Sequence, residues 1–318
     1  MTPRIVRVLA PNPSVYTLEG TNTWIVGRDP AIVIDPGPDI PSHLEDVARA
    51  AGRVGAILLT HHHEDHATGA TAFSKSTGAP VLSFAAEGTA HLRDGQQLTF
   101  GGLSLVVFHV PGHTADSVAV IEPESRALFT GDTVLGRGTS FIDPPEGDLA
   151  AYLRSLRRLR DLDAAAIYPG HGPAVFRVSE KLDEYLRHRA ERERQVLSAL
   201  GDEQRTAEEL VPAIYADYPQ EAWPLAARSV LAHLLKLESE GRGRRVESAP
   251  DDDARFALTE THPCARCGRP IRGAAPLCEK HSVEMLQEPV TAEPSTAQRT
   301  DDPGAASGAP RAEDRASG

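Results

Sequence analysis

The chain has 318 residues, with 33 Lys and Arg against 45 Asp and Glu and a formal net charge of −12. This length suits one sizeable core with a small second domain, and the acidic balance weighs against non-specific binding to nucleic acid, which depends on cations laid along phosphates. No stretch reaches the roughly 18 apolar residues of a membrane span, residues 1–11 are too short and broken for a secretory apolar segment, and the 3 cysteines give no disulfide framework, so a cytoplasmic protein is expected.

Residues 1–178 alternate strand and helix signals. Helices are expected over 41–51, 67–77 and 148–160, and apolar runs without polar alternation mark buried strands. The pattern predicts an α/β domain of two sheets sandwiched between helices, with its functional loops at one edge. The run Val54-Gly55-Ala56-Ile57-Leu58-Leu59 leads into Thr60-His61-His62-His63-Glu64-Asp65-His66. These imidazoles therefore follow a strand's carboxyl end, where open α/β sheets place their sites. His61 and His63, one residue apart, reach one metal together, and Asp65 and His66 point at a second. A lone histidine is an ordinary core residue. This order of donors fits zinc, which accepts imidazole nitrogen and carboxylate oxygen and in hydrolases keeps one position for water.

Three later strands end the same way. Residues 103–110 run into Pro111-Gly112-His113-Thr114, residues 126–130 into Gly131-Asp132, and residues 164–168 into Pro169-Gly170-His171-Gly172. Glycine beside each donor permits a tight turn. Singly these are turn residues. Together they complete two sites: His61, His63 and His113 on one metal, Asp65, His66 and His171 on the other, and Asp132 bridging both.

With these residues the sequence resembles the metallo-β-lactamase superfamily, whose H-x-H-x-D-H motif is matched by His61, His63, Asp65 and His66, with later metal positions at His113, Asp132 and His171. The family's early strand-Asp-x-Gly motif appears as Ile32-Val33-Ile34-Asp35-Pro36-Gly37, and by analogy Asp35 orients a ligating imidazole. Within the superfamily the sequence is similar to the lactamase-beta-like endoribonucleases, in Gly20-Thr21-Asn22-Thr23-Trp24, in Leu135-Gly136-Arg137-Gly138-Thr139-Ser140 and in His188-Arg189-Ala190-Glu191-Arg192-Glu193. It departs at Thr114-Ala115-Asp116-Ser117, since some relatives carry a histidine near Ser117.

The resemblance implies phosphodiester hydrolysis of the endoribonuclease type. The alternative is thioester hydrolysis of the glyoxalase II or acyl-thioesterase type. A non-catalytic nucleic-acid-binding regulator ranks third, because a relic fold would have lost ligands. Two zinc ions sharing a hydroxide are expected, with manganese or iron able to replace zinc at the oxygen-richer position. Asp65 is the expected catalytic residue, ligating through one oxygen and steering the nucleophile through the other. RNA or a small thioester is the expected substrate. A cleft walled by Arg or Lys would favour the first, a narrow apolar tunnel the second.

Residues 179–260 change character. Ser179 reads as an N-cap for a charged helix to Leu200, ended by Gly201. Thr206-Ala207-Glu208-Glu209 reads as a capping box, a longer helix is expected over 221–240, and strands over 241–246 and 255–258 complete a winged-helix arrangement. One reading has Arg242, Arg244 and Arg245 guiding nucleic-acid phosphates; the other has this small domain walling the cleft or packing two subunits of a homodimer. Residues 261–284 carry Cys264, Cys267, Cys278 and His281, whose spacing suits one closed structural zinc knuckle. Residues 285–318 hold almost no large apolar residues and are expected to be disordered.

Overall fold

The computed structural model describes residues 4–84, 90–246 and 250–259, together with the backbone of 261–263 and 270–272. Its first sheet runs β1 (Ile5–Leu9), β2 (Asn22–Val26), β3 (Ala31–Ile34), β4 (Val54–Leu58), β5 (Val81–Ser83) and β6 (Ala90–His91), in that spatial order. Pairing is antiparallel from β1 to β3 and parallel from β3 to β6. The parallel crossovers are made by α1 (Pro41–Ala51), between β3 and β4, and by α2 (Glu64–Ala67) with α3 (Ala70–Thr77), between β4 and β5. The second sheet runs β7 (Gln97–Phe100), β8 (Leu103–His109), β9 (Val118–Glu122), β10 (Ala127–Gly131) and β11 (Ala166–Pro169). Here α4 (Leu149–Arg160) makes the one parallel connection, from β10 to β11, and α5 (Val178–Leu200) follows.

Successive strand side chains point to opposite faces, and this sorts the apolar residues into layers. Trp24, Ile32, Ile34 and Leu58 meet Val107, Val120 and Phe129 between the two sheets. Ile25, Val33 and Ile57 turn the other way, onto Leu44 and Val47 of α1 and Phe73 of α3. On the far side Ala119, Ile121 and Leu128 pack against Tyr152, Leu156 and Leu159 of α4 and Leu182 and Tyr185 of α5. The product is the predicted αββα sandwich. Central strands are covered on both faces, which is why they read as unbroken apolar runs.

Helix α1 matches its expected span, and Asp148 caps α4 by accepting the Ala151 N–H. The expected helix over 67–77 is instead broken into α2 and α3. Gly69 lies against the Gly37 carbonyl, and a Cβ there would stand 2.9 Å from that oxygen.

Helix α5 begins at Val178, with Ser179 inside the first turn rather than at the cap. Its two halves serve different cores. Val178, Leu182 and Tyr185 belong to the sandwich. Val196, Leu197 and Leu200 join α6 (Ala207–Ile214), α7 (Trp223–Ser239) and Phe256 in a second core. The division expected between residues 178 and 179 thus falls at the start of a helix that both cores share. Thr206 and Glu209 form both bonds of the predicted capping box. A 3-10 turn, Gln220–Ala222, leads into α7, and β12 (Gly243–Arg245) pairs antiparallel with β13 (Phe256–Leu258) to give the winged helix. Beyond it β14 (Thr261–Pro263) pairs antiparallel with β15 (Pro270–Arg272). Cys264, Cys267, Cys278 and His281, and the expected disordered tail over 285–318, lie outside the described residues. Among the described residues no helix is long and apolar enough to cross a membrane.

Candidate metal centre

The loops after β4, β8, β10 and β11 converge at one edge of the sandwich. His63 Nδ1 lies 3.1 Å from both His61 Nε2 and His113 Nε2. A second group gathers beside it: His66 Nε2 and His171 Nε2 are 3.3 Å apart, and Asp65 Oδ2 is 3.4 Å from the first and 3.3 Å from the second. Asp132 reaches both groups, with Oδ2 3.1 Å from His171 Nε2 and 3.9 Å from His113 Nε2. Each of the two trios His61, His63, His113 and Asp65, His66, His171 brings its donor atoms within 4.8 Å of one another.

The outer ring nitrogens fix the tautomers. His66 Nδ1 meets Asp35 Oδ2 at 2.9 Å, His113 Nδ1 meets the Phe141 carbonyl at 2.9 Å, and His171 Nδ1 meets the Gly20 carbonyl at 3.2 Å. These oxygens only accept, so each Nδ1 carries a proton and each Nε2 faces inward, where its lone pair becomes available to a metal once any second proton leaves. Thr60 Oγ1 donates to Asp35 at 2.7 Å and so accepts from His61 Nδ1 at 3.0 Å. Buried Asp35 therefore aims His66 directly and His61 through Thr60, one imidazole more than the sequence assigned to it.

These facing lone pairs are stable only around a cation or shared protons. Asp132 Oδ1 is buried and accepts no hydrogen bond among the described residues. Gly170 is needed beside it, since a Cβ there would stand 2.3 Å from that oxygen. Imidazole nitrogens and carboxylate oxygens converging in this way fit a metal of the zinc type. Burial, then the neighbouring His66, holds His61 well below the usual imidazole range. Burial also acts on His66, but Asp132 and Asp35 outweigh it and hold that ring well above the range. His171 is likewise desolvated, yet Asp132 and Asp65 push it up to about 9.

Several contributors carried no local signal in the sequence. Thr21 Oγ1 donates to Asp65 Oδ2 at 2.9 Å. His62 turns away from the donors, towards Asp116 at 2.9 Å and Glu146 at 2.8 Å. Above the donors opens a cleft of about 720 Å³, walled by Val15, Tyr16 and Leu18 on one side, by residues 137–141 on another, and by Leu225 of α7.

The three arginines of the alternative phosphate-guiding reading differ in their surroundings. Arg242 is 6% exposed and paired with Glu193 and Glu240. Arg245 is held by Glu238 and Asp251. Only Arg244 of the three has an exposed side chain. Arg242 and Arg245 are thus answered by acids on neighbouring elements, which a linear run of Arg does not reveal, and Arg244 is left as the one of the three that faces solvent.

Comparison with known proteins agrees with this architecture. Residues 16–171 match the metallo-beta-lactamase superfamily, and residues 206–252 the beta-lactamase associated winged helix domain. A beta-lactamase-like protein 2 homolog of Drosophila melanogaster is 34% identical, covering 79% of this chain and 94% of its own. An atrochrysone carboxyl ACP thioesterase of Aspergillus chevalieri is 33% identical, covering 74% and 82%. A beta-lactamase domain protein from Burkholderia ambifaria shares the fold at a TM-score of 0.70 and 20% identity, covering 80% of this chain and 92% of its own. With its donor loops at the strand ends of an αββα sandwich and a winged helix behind them, this chain belongs to the metallo-beta-lactamase superfamily.

Proposed function

We propose that this protein is a binuclear metal-dependent thioester hydrolase. One observation carries the choice of substrate. Apart from the donor imidazoles, Arg137 is the one basic residue on the cleft wall among the described residues, and Glu19 pairs with it. The rest of the wall holds the acids Glu64, Asp143 and Glu146, of which Asp143 is paired with Arg228, the neutral polar residues Ser14, Thr17, Thr139 and Ser140, and an apolar patch of Val15, Tyr16, Leu18, Leu135, Phe141 and Leu225. A polyanionic backbone would be repelled by that wall, whereas an uncharged acyl chain would bury apolar surface against it. The resemblance to the endoribonucleases puts the phosphodiester first; the wall supports the reverse order. The similarity to a relative named as a carboxyl ACP thioesterase supports the same reading.

His61, His63 and His113 would hold one cation and Asp65, His66 and His171 the other, with Asp132 shared. Such a pair supplies Lewis acidity and a water that deprotonates near neutral pH. Asp65, fixed by Thr21, is kept ionised although burial opposes it; the His171 hydrogen bond and the His66 charge bring its pKa down to about 2. Its carboxylate accepts a hydrogen bond from the attacking water and aims it at the thioester carbonyl. Val15 and Tyr16, 82% and 58% exposed, with Leu225 opposite, offer apolar surface at the mouth for the acyl chain. Buried Ser117, bonded to Thr114, gives no proton to a leaving group. A thiolate, with a conjugate-acid pKa of about 8.5, departs without one far more readily than an alkoxide.

Purified, zinc-loaded protein should turn over acyl thioesters and leave single-stranded RNA intact in a parallel assay. RNA cleavage beside inert thioesters would overturn the reading.

A further inference from the structure

Behind the cleft, between α5, α7 and residues 139–141, lies a second cavity of about 250 Å³. The two share Thr139, Ser140, Phe141 and Leu225 as wall, and Ser140 Oγ is 3.4 Å from the His113 ring. Arg189, Arg192 and His188 line the inner cavity. Arg189 is 4% exposed and Arg192 8%, and neither meets a carboxylate among the described residues. Arg189 donates to the Ser140 carbonyl. Arg192 donates to Gln195 and to the Ile214 carbonyl and lies over the Tyr215 ring at 4.0 Å. All of these partners are neutral. In each guanidinium the buried Nε has no acceptor, and the same is true of His188 Nδ1.

Two buried guanidiniums facing only neutral groups are a costly arrangement, since a buried charge is normally paired. The positive field is visible nearby. Burial, followed by Arg189, Lys236 and Arg192, holds His233 well below the imidazole range. Lys236 is itself answered by Glu193 and Glu240.

We infer that Arg189, Arg192 and His188 form a pocket for the terminal phosphoryl group of the substrate's carrier arm, seated beside the metal centre. A phosphoryl monoester brings nearly two negative charges and three acceptor oxygens, and guanidinium forks match that geometry. The hydroxyls of Tyr218 and Ser229, on the same wall, add donors from other directions. A pocket of this size, with its cations gathered on α5, takes one terminal oxyanion; a nucleic-acid strand would need a train of cations along the cleft. This inference rests on the thioester reading for the identity of the arm, though not for the pocket itself.

Two measurements test it. The first is calorimetric titration of chelator-stripped protein with inorganic phosphate. Binding should weaken at least tenfold in Arg192→Gln and, where that variant unfolds, in His188→Gln. Equal affinity in a folded variant would overturn the pocket. The second compares kcat/KM for one acyl group carried on phosphopantetheine and on pantetheine. The natural chain should favour the phosphorylated arm at least tenfold, and the variants should lose that preference. Phosphate binding with no such preference would assign the pocket to free phosphate and overturn the carrier-arm assignment. If neither thioester were hydrolysed, the thioester reading would fall, and the arm assignment with it, while calorimetry would still decide whether the pocket binds an oxyanion.

Discussion

At the residue scale, the shared aspartate and the spacer histidine of the donor cluster make the sharpest contrast. Asp132 touches both donor groups, whereas His62 is directed to Asp116 and Glu146. Asp132→Ala should lower turnover on the order of a hundredfold or more and reduce bound metal. His62→Ala should retain its metal and most of its activity. Equal loss of metal in both variants would show that His62 also serves the centre. The raised pKa values of His66 and His171 carry a second expectation. In the metal-free chain both rings are protonated at pH 7, His171 titrating at about 9. Because their folded values exceed the unfolded value of about 6.5, they stabilise the metal-free chain fully below that pH, and the contribution fades as pH rises through the folded values. Metal must displace these protons, so zinc binding at pH 7 should release about two protons. The apparent affinity should therefore rise with pH until His171 is neutral. Calorimetry in buffers of different ionisation enthalpy measures this, and heats independent of buffer would refute it.

At the scale of elements, α5 joins the sandwich to the winged helix, and Glu193 is the polar centre of that junction. Its carboxylate takes Lys236 of α7 at 2.6 Å and Arg242 from the approach to β12. Burial opposes ionisation, but these two cations hold Glu193 below the usual carboxylate range. Such a group adds stability that is present above the unfolded pKa and is lost as pH falls through the folded one. Glu193→Gln would leave both cations with Glu240 as their remaining acid, at a cost of about 2 kcal/mol. A lowered urea midpoint would report it, and an unchanged midpoint would remove Glu193 from this role. The same contact shows what the linear sequence hides. The arginines near residue 242 looked open because Glu193 stands 49 residues away on a different helix. The capping box at Thr206 and the convergence of the four donor loops were legible, since each depends on residues close in sequence or on a strand, glycine and donor in a row. The roles of Thr60, Phe141, Arg189 and Arg192 were not legible, because they arise only when separate elements dock.

For the whole molecule, the layers follow from the period of two in the strands and the apolar faces of α1, α3, α4 and α5. What periodicity could not give is the cleft wall, assembled from residues 14–18, the segment 137–141 and Leu225 of the second core. The donors are divided between the sheets: His61, His63, Asp65 and His66 follow a strand of the first, and His113, Asp132 and His171 follow strands of the second. That division has a kinetic consequence. A cation bound by both sets would act as a rivet between two halves that meet only after each has formed, because closing a loop from residue 61 to residue 171 is slow relative to local pairing. Metal should therefore leave the refolding rate nearly unchanged and slow unfolding severalfold or more, so that the loaded centre sets how long a finished molecule survives rather than how quickly it is made. Stopped-flow chevrons with and without zinc would show this as a shift of the unfolding limb alone; a comparable shift of the folding limb would mean that the rivet is set before the halves close.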